Sequence, residues 1–379
     1  MLRIAQVGCG GFGQVHLARI DRLIEKGRVE LVAGADPAGP GKGRGFPCYD
    51  SLEELLSHHS VDIVSIATPI GTHMSLATQA LEAGAHVMLE KPPVTSLDEF
   101  WALNRTADSR GLSVQVGFQS LGGGGIARMR DLAEHELGEL LSVQVWGMWQ
   151  RYLAYFERAR WAGLRVLNGK RVADGVCTNA LAHAIATACR IRDLVDIADI
   201  TSIETELYHA FDTQSDDTSW LRINQRDRVP IDASLTLCGP RQETPTVTLV
   251  GSRGRAELQY TEDIVTWQSA DGTSTVETLA RRDLLENLVD HIESGVPLIA
   301  PLNETVGFMA VLEATQTAPD PVQIPEEYLS WVGEGDAAHP VPLGIEYWQH
   351  YCLSAGQGYF DCDVPWADPM AKSIWAPGA

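Results

Sequence analysis

The sequence predicts an α/β protein: a doubly wound parallel sheet, followed by an α/β domain with a large, mostly antiparallel open sheet. Three observations support this prediction. An apolar strand at residues 2–7 runs directly into a glycine-rich loop and a helix. Strands and helices then alternate as far as about residue 120. Beyond that point alternating strands follow one another, with glycines and charged residues between them.

The first turn carries the glycine pattern of a dinucleotide-binding loop. It comprises Gly8, Gly10, Gly11, Phe12 and Gly13, and it lies between the first strand and a helix. Glycines there let the backbone approach a pyrophosphate, and the helix N-terminus supplies free N–H groups and a positive dipole. Glycines also mark ordinary turns, so the position between strand and helix favours the nucleotide.

An acid ends the second apolar strand, residues 29–36. Asp36 can accept hydrogen bonds from the ribose hydroxyls and repel a 2′-phosphate, which favours NAD over NADP. The alternative is that Asp36 only opens a turn before Pro37. Lys42 and Arg44 follow in the next loop and could receive a phosphate, so NADP stays possible. We expect NAD as the cofactor.

The remaining elements divide the chain into a first domain, residues 1–121, and a second, residues 122–379. The first domain has further strands at 61–67, 86–89 and 114–118 and helices at 51–56, 75–83 and 96–110. In the second we expect helices at 126–137, 180–192, 282–294 and 303–316 and strands at 141–149, 200–209, 219–224, 231–238, 246–250 and 256–260. A proline- and aromatic-rich tail starts at about residue 319. This tail either covers apolar surface or supplies aromatic faces to a sugar or a neighbouring subunit.

Composition excludes several classes of partner. The formal net charge of −21 argues against nucleic acid and anionic membrane surfaces. No apolar run of about 18 residues and no export signal is present, so we expect a cytoplasmic protein. The seven cysteines are scattered without a Cys-x-x-Cys pair. We therefore expect reduced thiols and no metal site.

Glu90-Lys91-Pro92 directly follows a predicted strand, at the edge of the sheet where open α/β folds bind ligands. A lysine there can hydrogen-bond a reacting hydroxyl, stabilise alkoxide character and help to relay its proton. The alternative is that Lys91 only pairs with Glu90 or with a loop carboxylate.

The motifs together resemble the Gfo/Idh/MocA family. They are the glycine loop ending in His16, Ala67-Thr68-Pro69 followed by His73, and Glu90-Lys91-Pro92. The resemblance implies an NAD(P)-dependent oxidoreductase for sugars, inositols and related polyols, with a second-domain sheet often used for oligomer packing. It also implies cofactor contacts from Thr68, Pro69, His73, Glu90, Lys91 and Gln119. At the position of Gln119, members of the family often carry asparagine.

The family's second signature, Asp-x-Gly-x-His, matches the stretch that ends at His183. His183 takes the position of the catalytic histidine, Asn179 replaces the aspartate and Leu181 the glycine. Residues four apart share one helical face, so we expect Asn179 and His183 to face one substrate. The resemblance adds Arg158 and Trp161 as substrate contacts. Asp216-Asp217 is predicted to be a plain turn.

These expectations combine into a reaction in which His183 removes a hydroxyl proton while a hydride passes to NAD. Lys91 and Asn179 orient the sugar, glycoside or cyclitol. One alternative uses transient oxidation to cleave a glycosidic bond, and another is a sugar sensor that binds NAD without turnover. We also expect a homo-oligomer, a dimer or tetramer, because a one-sided sheet would leave an apolar face to cover.

Overall fold

The computed structural model describes residues 1–41 and 44–378. They form two compact units. The first comprises Met1–Gly122 and Arg282–Thr305, and the second comprises Gly123–Arg281 and the chain from Val306 onward. Within the described residues, no helix has the length and the apolar character needed to cross a membrane.

The first unit is built on a six-stranded parallel sheet in the order β3-β2-β1-β4-β5-β6. Its strands are β1 (Leu2–Val7), β2 (Val29–Ala35), β3 (Cys48–Tyr49), β4 (Ile63–Ile66), β5 (His86–Leu89) and β6 (Val114–Val116). The helices between them are α1 (Gly13–Glu25), α2 (Leu52–His58), α3 (His73–Glu82) and α4 (Leu97–Arg110). Strands β4 and β5 are buried almost throughout, as expected of a parallel sheet covered on both faces. The predicted fold class is confirmed here.

Local sequence explains where two of these helices begin. The Ser51 hydroxyl accepts a hydrogen bond from the Glu54 amide at 3.1 Å, and Ser96 does the same for Glu99 at 3.2 Å. Each serine satisfies one of the backbone donors that a helix N-terminus leaves unpaired. Helix α4 ends at Gly111, whose φ of +62° suits glycine.

The second unit contains a ten-stranded sheet, whose main path runs β16-β15-β14-β13-β7-β12-β11-β10-β17, with β20 also paired to β10. Its helices are α5 (Gly125–His135), α6 (Leu153–Glu157), α7 (Ala182–Ile191), α9 (Val306–Thr317) and α10 (Ile345–Ala355). One further helix, α8 (Leu284–Ser294), follows α7 in sequence but is part of the first unit. The strands are β7 (Leu140–Met148), β8 (Val166–Leu167), β9 (Lys170–Arg171), β10 (Ile200–His209), β11 (Thr218–Gln225), β12 (Arg228–Thr236), β13 (Thr246–Gly251), β14 (Gly254–Gln259), β15 (Ile264–Ser269), β16 (Ser274–Thr278), β17 (Val322–Gln323), β18 (Leu329–Val332), β19 (His339–Pro342) and β20 (Lys372–Trp375). Most neighbours are antiparallel, but β7 pairs with β12 in parallel.

Helix α8 belongs to the first unit, although the sequence placed it in the second domain. Its Asn287 accepts a hydrogen bond at 2.7 Å from the buried Gln115 of β6. Its outer side carries acids that pair with the end of α1 and the residues after it. Lys26 contacts Glu286 at 2.6 Å, and Arg28 contacts Asp290 at 3.0 Å. These contacts lie far apart in sequence, which explains why a linear domain boundary missed them.

The C-terminal tail covers part of the sheet face opposite α7. Gln349 of α10 donates to the carbonyl oxygens of Gly147 at 3.2 Å and Ser234 at 3.1 Å. Two tail aromatics, Tyr359 and Trp366, are 0% and 2% exposed within an apolar cluster. The structure agrees with the tail as a cover for apolar surface.

One row of that face is mostly polar, which bears on the reason for expecting an oligomer. A cross-strand row starts at Gln144 in β7 and continues through Thr248, Glu257 and Thr266 to Val276. Four of its five side chains are polar, because the outward positions of these strands alternate with buried apolar ones. Along this row the sheet therefore does not present the apolar face expected from the sequence.

We still expect a homo-oligomer in solution, on different grounds. The outer side of α10 exposes Tyr347 and Tyr351, at 61% and 47%, with their rings stacked 5.8 Å apart. Exposed aromatic surface of this kind is typical of contacts between proteins. Light scattering at micromolar concentration is expected to give a dimer or tetramer, and a monomer would contradict the prediction.

Candidate functional site

The turn after β1 has a shape that requires glycine at two positions. Gly8 has a φ of +79°, and a Cβ there would lie 2.4 Å from the carbonyl oxygen of Ala67. A Cβ on Gly13 would lie 2.0 Å from the carbonyl oxygen of Gly8. Among the described residues, no other part of the chain lies within 4 Å of the Cβ positions of Gly10 and Gly11. The loop is thus tightly packed on its inner side and open on its outer side, which fits a bound pyrophosphate.

Two side chains next to this loop have contrasting surroundings. Gln6 is fully buried in β1, and its amide nitrogen donates to the carbonyl oxygens of Val7 at 3.0 Å and Gly8 at 2.9 Å. Phe12 is 52% exposed, and its ring lies edge-on to His16 with the centroids 5.8 Å apart. Gln6 therefore fixes the inner side of the loop, and Phe12 lies at its outer rim.

Asp36 joins the end of β2 to the glycine loop. One carboxylate oxygen accepts the amide hydrogens of Cys9 at 2.8 Å and Gly10 at 3.3 Å, and the other accepts that of Ala38 at 2.8 Å. Two carboxylate oxygens offer about four acceptor positions, so capacity remains for a ribose hydroxyl. Asp36 thus opens the turn, as the alternative interpretation has it, and still faces the nucleotide side.

A cleft of about 500 Å³ opens beside Asp36 at the carboxyl ends of β1, β2 and β4. This volume lies within the range of small-molecule sites. The cleft is lined by five residues that the sequence assigned to the cofactor, which are Gly8, Gly10, Asp36, Thr68 and Pro69. Its charged lining consists of Asp36, Asp50 and Glu53, with no basic side chain among the described residues. A 2′-phosphate would therefore meet three carboxylates here.

Of the two bases that could have received such a phosphate, the structure describes Arg44, which does not line the cleft. Lys42 lies outside the described residues. Arg44 donates from Nη1 to both carboxylate oxygens of Asp21, at 2.9 and 2.6 Å. Its guanidinium is already paired, which weakens the case for NADP.

A buried polar chain links the first helix to Lys91. His16 lies with Nε2 2.9 Å from Glu90 Oε1 and Nδ1 2.8 Å from Ser65 Oγ, and His16 and Glu90 are 1% and 7% exposed. The second Glu90 oxygen accepts the Lys91 amide at 3.0 Å. Burial by itself raises the pKa of Glu90, but the hydrogen bond and charge of His16, with the charge of Lys91, hold that pKa below its ordinary value. The carboxylate thus fixes the backbone of Lys91 relative to α1.

His73 connects the two other sequence motifs of the first unit. Its Nδ1 lies 2.8 Å from the Pro92 carbonyl oxygen, and its Nε2 lies 2.9 Å from that of Thr68. Burial lowers the pKa of His73. His73 therefore holds the Thr68-Pro69 turn beside the Lys91-Pro92 turn from below, as a support of the site.

Gln119 follows β6 in a short 3₁₀ turn. Its amide nitrogen is shielded from solvent and has no hydrogen-bond partner among the described residues. The structure shows no link between this side chain and the glycine loop, so its contact with the cofactor stays a prediction.

In the second unit, the segment before α7 departs from regular geometry. Val176–Ala180 is a π-helical turn, and α7 begins only at Ala182. Asn179 lies in the π turn and His183 in α7, and the two segments join at Leu181, whose φ and ψ are −104° and 21°. The α-helix that carries His183 therefore does not extend through Asn179, and the expectation that both side chains face one substrate stays a prediction. Such π turns recur at functional sites.

Asp174 is the acid of this segment. It follows Ala173, whose φ of +55° is rare for a residue with a side chain. Asp174 is 7% exposed, and one oxygen accepts a hydrogen bond from the Asn179 amide nitrogen while the other accepts the Gly163 amide at 2.7 Å. Burial raises the pKa of Asp174, and the charge of Arg158 opposes that rise. A carboxylate thus contacts Asn179, although asparagine itself cannot ionise.

The two predicted substrate contacts belong to the same group. Arg158 Nη2 lies 3.1 and 3.0 Å from the two oxygens of Asp174. The Arg158 guanidinium lies over the rings of Tyr155 and Trp161, at 3.7 and 4.7 Å from their centroids. The structure therefore brings Arg158, Trp161 and Asn179 together around Asp174, and their contact with a substrate stays a prediction.

Asp216 and Asp217 are buried, at 4% and 1% exposed, so the prediction of a plain turn is wrong. Asp217 accepts the amide hydrogens of Ala210 at 2.8 Å and Phe211 at 2.9 Å, and burial raises its pKa to about 6. A Cβ on Gly175 would lie 2.0 Å from an Asp216 oxygen. These acids thus shape the backbone that enters the π turn.

Sequence reasoning missed the supporting polar residues Gln6, Ser65 and Asp174. Gln6 and Ser65 each interrupt an apolar strand, and a polar residue in such a strand is the signal that could have marked them. Asp174 begins the stretch that matches the second signature, but the pattern gave it no role. Its contact with Asn179 depends on the π turn, which the sequence does not reveal.

The first unit is by its topology a dinucleotide-binding unit, with the glycine turn after β1 and the acid after β2. Residues 2–118 match the family model GFO_IDH_MocA, described as an oxidoreductase family with an NAD-binding Rossmann fold. This segment is therefore similar to the NAD-binding part of the Gfo/Idh/MocA oxidoreductases. The match confirms the resemblance predicted from the sequence and NAD as the family's cofactor.

Sequence relatives match a limited part of the chain. The uncharacterized oxidoreductase YfiI of Bacillus subtilis is 33% identical over 148 residues, which cover 35% of this chain and 38% of that protein. Inositol 2-dehydrogenase of Arthrobacter sp. is 30% identical over 148 residues, which cover 38% of this chain and 44% of that protein. The chain spans about two fifths of the length of these curated relatives.

Structural similarity extends further than sequence similarity. An inositol dehydrogenase homolog from Azotobacter vinelandii, solved with NAD⁺, superposes with a TM-score of 0.71 at 19% identity, covering 83% of this chain and 95% of that chain. Similarity at this level of identity shows the fold. It agrees with a Rossmann sheet followed by a large mixed sheet.

Proposed function

We propose that the protein is an NAD-dependent oxidoreductase that moves a hydride between the nicotinamide and a secondary hydroxyl of a sugar, glycoside or cyclitol. The observation that carries this proposal is the position of Lys91. It is the second residue after β5, at the carboxyl edge of the dinucleotide-binding sheet, and its backbone amide is held by the buried Glu90. The name of the inositol 2-dehydrogenase relative supports the substrate class.

Each proposed role follows from the chemistry of the side chain. NAD, when bound, supplies the acceptor for the hydride. Lys91 donates a hydrogen bond to the hydroxyl oxygen and stabilises the negative charge that develops there. His183 accepts the hydroxyl proton as the carbon–hydrogen bond breaks, so proton and hydride leave to different acceptors. Asn179, held by Asp174, orients a neighbouring hydroxyl.

A panel of sugars, glycosides and cyclitols with NAD tests the proposal. NADH formation that depends on the substrate supports it. Release of an aglycone without net NADH would instead indicate glycoside cleavage through transient oxidation. Binding of a sugar without either product would indicate a sensor and would overturn the proposed activity. We also propose a cytoplasmic location, supported by the seven free cysteines.

We expect NAD to be preferred over NADP by at least about tenfold in kcat/KM, because the residues that the structure describes around the cleft beside Asp36 supply carboxylates and no basic side chain. Asp36→Asn removes one charge and should narrow the preference by roughly tenfold. Glu30→Gln, an exposed change on the same strand, serves as the control and should leave the ratio unchanged. A wild-type preference for NADP would show that the assignment of Asp36 is wrong.

A further inference from the structure

Arg151 stands where β7 has just ended, within the second unit. Its backbone amide donates to the Leu237 carbonyl oxygen at 2.9 Å, so its position is fixed by the sheet. The guanidinium lies 4.7 Å from the centroid of the Trp149 ring and 5.1 Å from that of Tyr155. It donates to the Gln150 carbonyl oxygen at 2.9 Å. Two aromatic rings and a backbone contact thus hold a half-buried cation in place.

This cation lacks an acidic partner. Among residues 1–41 and 44–378, no carboxylate oxygen lies within 4 Å of the Arg151 guanidinium, whose other polar contacts are neutral: Gln242 at 3.4 Å and the Tyr155 hydroxyl. Arg158, on the same Tyr155 ring, is paired with both oxygens of Asp174. The charges that act on the Tyr155 hydroxyl are Asp174, Arg158 and Arg151. The positive charge of Arg151 is therefore not paired with an acid, although the formal net charge of the chain is −21.

The Arg151 cation is connected to the proposed reaction site through contacts within the same unit. Asn179 donates to Asp174, Asp174 pairs with Arg158, and the Arg158 guanidinium lies 3.7 Å from the Tyr155 ring that Arg151 also contacts. On the strand itself, a Cβ on Gly147 would lie 2.7 Å from Leu181. The end of β7 therefore packs beneath the junction between the π turn and α7.

We propose that Arg151 binds an anionic group of the substrate, so that the preferred substrate is an acidic sugar or cyclitol derivative carrying a carboxylate or a phosphate. The proposal rests on the proposed function. An arginine fork matches both anions through two parallel hydrogen bonds, and stacking on aromatic rings orders the fork before binding. The alternative is a purely structural stack, in which Arg151 affects folding but does not discriminate between substrates.

The test compares matched substrates that differ in charge. Glucose, glucuronate and glucose 6-phosphate form one set, and myo-inositol with its monophosphate forms another. We expect kcat/KM for one acidic member to exceed that for its neutral counterpart at least about tenfold. Arg151→Gln should lower kcat/KM for the acidic member about 10- to 100-fold. The same variant should change kcat/KM for the neutral compound by less than about twofold. The carboxylate and phosphate arms distinguish the two anions.

Matched variants separate binding from folding. Arg255→Gln, which removes an exposed cation from β14, should leave kcat/KM for every substrate unchanged. Arg151→Lys keeps the charge without the fork, and should retain an intermediate preference for the acidic member even if Arg151→Gln fails to fold. Equal rates on acidic and neutral members, or an equal loss on both in Arg151→Gln or Arg151→Lys, would overturn the proposal.

A calorimetric titration distinguishes failure of this proposal from failure of the proposed function. Glucuronate and inorganic phosphate are titrated into the full chain saturated with NAD. Heat of binding that disappears in Arg151→Gln supports the anion site even without NADH formation. Binding that is unchanged in the variant, or absent in the wild type, overturns it. NADH formation from neutral sugars alone would leave the proposed function intact and would overturn the anion site.

Discussion

Lys91→Ala and His183→Ala are each expected to lower kcat by about 10²- to 10⁴-fold on a substrate identified in the panel, while the affinity for NAD changes little. The reason is that both side chains are proposed to act on the reacting hydroxyl, Lys91 on its oxygen and His183 on its proton. NAD affinity should persist because the glycine loop and Asp36 are proposed to make many of the cofactor contacts. Steady-state kinetics together with fluorescence titration of NADH measure the two effects separately.

Matched controls come from exposed residues of the same types. Lys170→Ala and His135→Ala remove a lysine and a histidine that lie at the surface, and both variants should keep wild-type kcat. The pH profile adds a readout that a folding defect would not produce, because loss of His183 should remove the limb that reports the general base. If both alanine variants of the site turn over like the wild type, the catalytic assignment fails.

The contact between Asn179 and Asp174 changes what Asn179→Asp is expected to do. From the sequence alone, this change restores the family pattern and raises the pKa of His183. In the structure, the new carboxylate would lie against Asp174, whose pKa is already raised by burial. Two adjacent carboxylates cannot both ionise easily, so one of them should hold a proton. The added negative charge at His183 should therefore be smaller than the sequence suggests.

Sequence reasoning predicted the first unit well because its signals are local. An apolar run followed by glycines indicates a strand and a turn wherever it occurs, and Ser51 and Ser96 cap helices within their own segments. Contacts between distant residues were not accessible in this way. The hydrogen bond between Gln115 and Asn287 and the ion pair between Arg158 and Asp174 both form only in the completed fold.

The candidate site was predicted in part for the same reason. Asp36 and Lys91 follow strands, so topology alone places them at the carboxyl edge of the sheet. Asn179 lies in a π turn that was not predicted, because such a turn has no sequence signature that separates it from an α-helix. Arg151 was not singled out at all. Its significance lies in the absence of a carboxylate partner among the described residues, which only side-chain contacts reveal.

The second large effect concerns the buried pair of His16 and Glu90. Glu90→Gln is expected to lower the free energy of unfolding by about 1–3 kcal/mol at pH 7, because the buried His16 loses a charge-assisted hydrogen bond. Glu82→Gln, an exposed change in the same unit, should alter it by less than about 0.5 kcal/mol. Urea unfolding monitored by fluorescence measures the difference between each variant and the wild type.

The pH dependence of that difference tests the role of the Glu90 charge. The pKa of Glu90 in the folded protein lies below its ordinary value of 4.5, so the ionised group stabilises the folded state. The stabilisation from ionised Glu90 is complete above the pKa that this group has in the unfolded state. It is lost as the pH falls through the pKa that the group has in the folded state. The difference in the free energy of unfolding between wild type and Glu90→Gln should therefore be constant from about pH 7 to pH 5 and should shrink in more acidic solution. A difference that widens on acidification would show that the protonated form of Glu90 stabilises the fold, and the proposed carboxylate link between α1 and Lys91 would have to be abandoned.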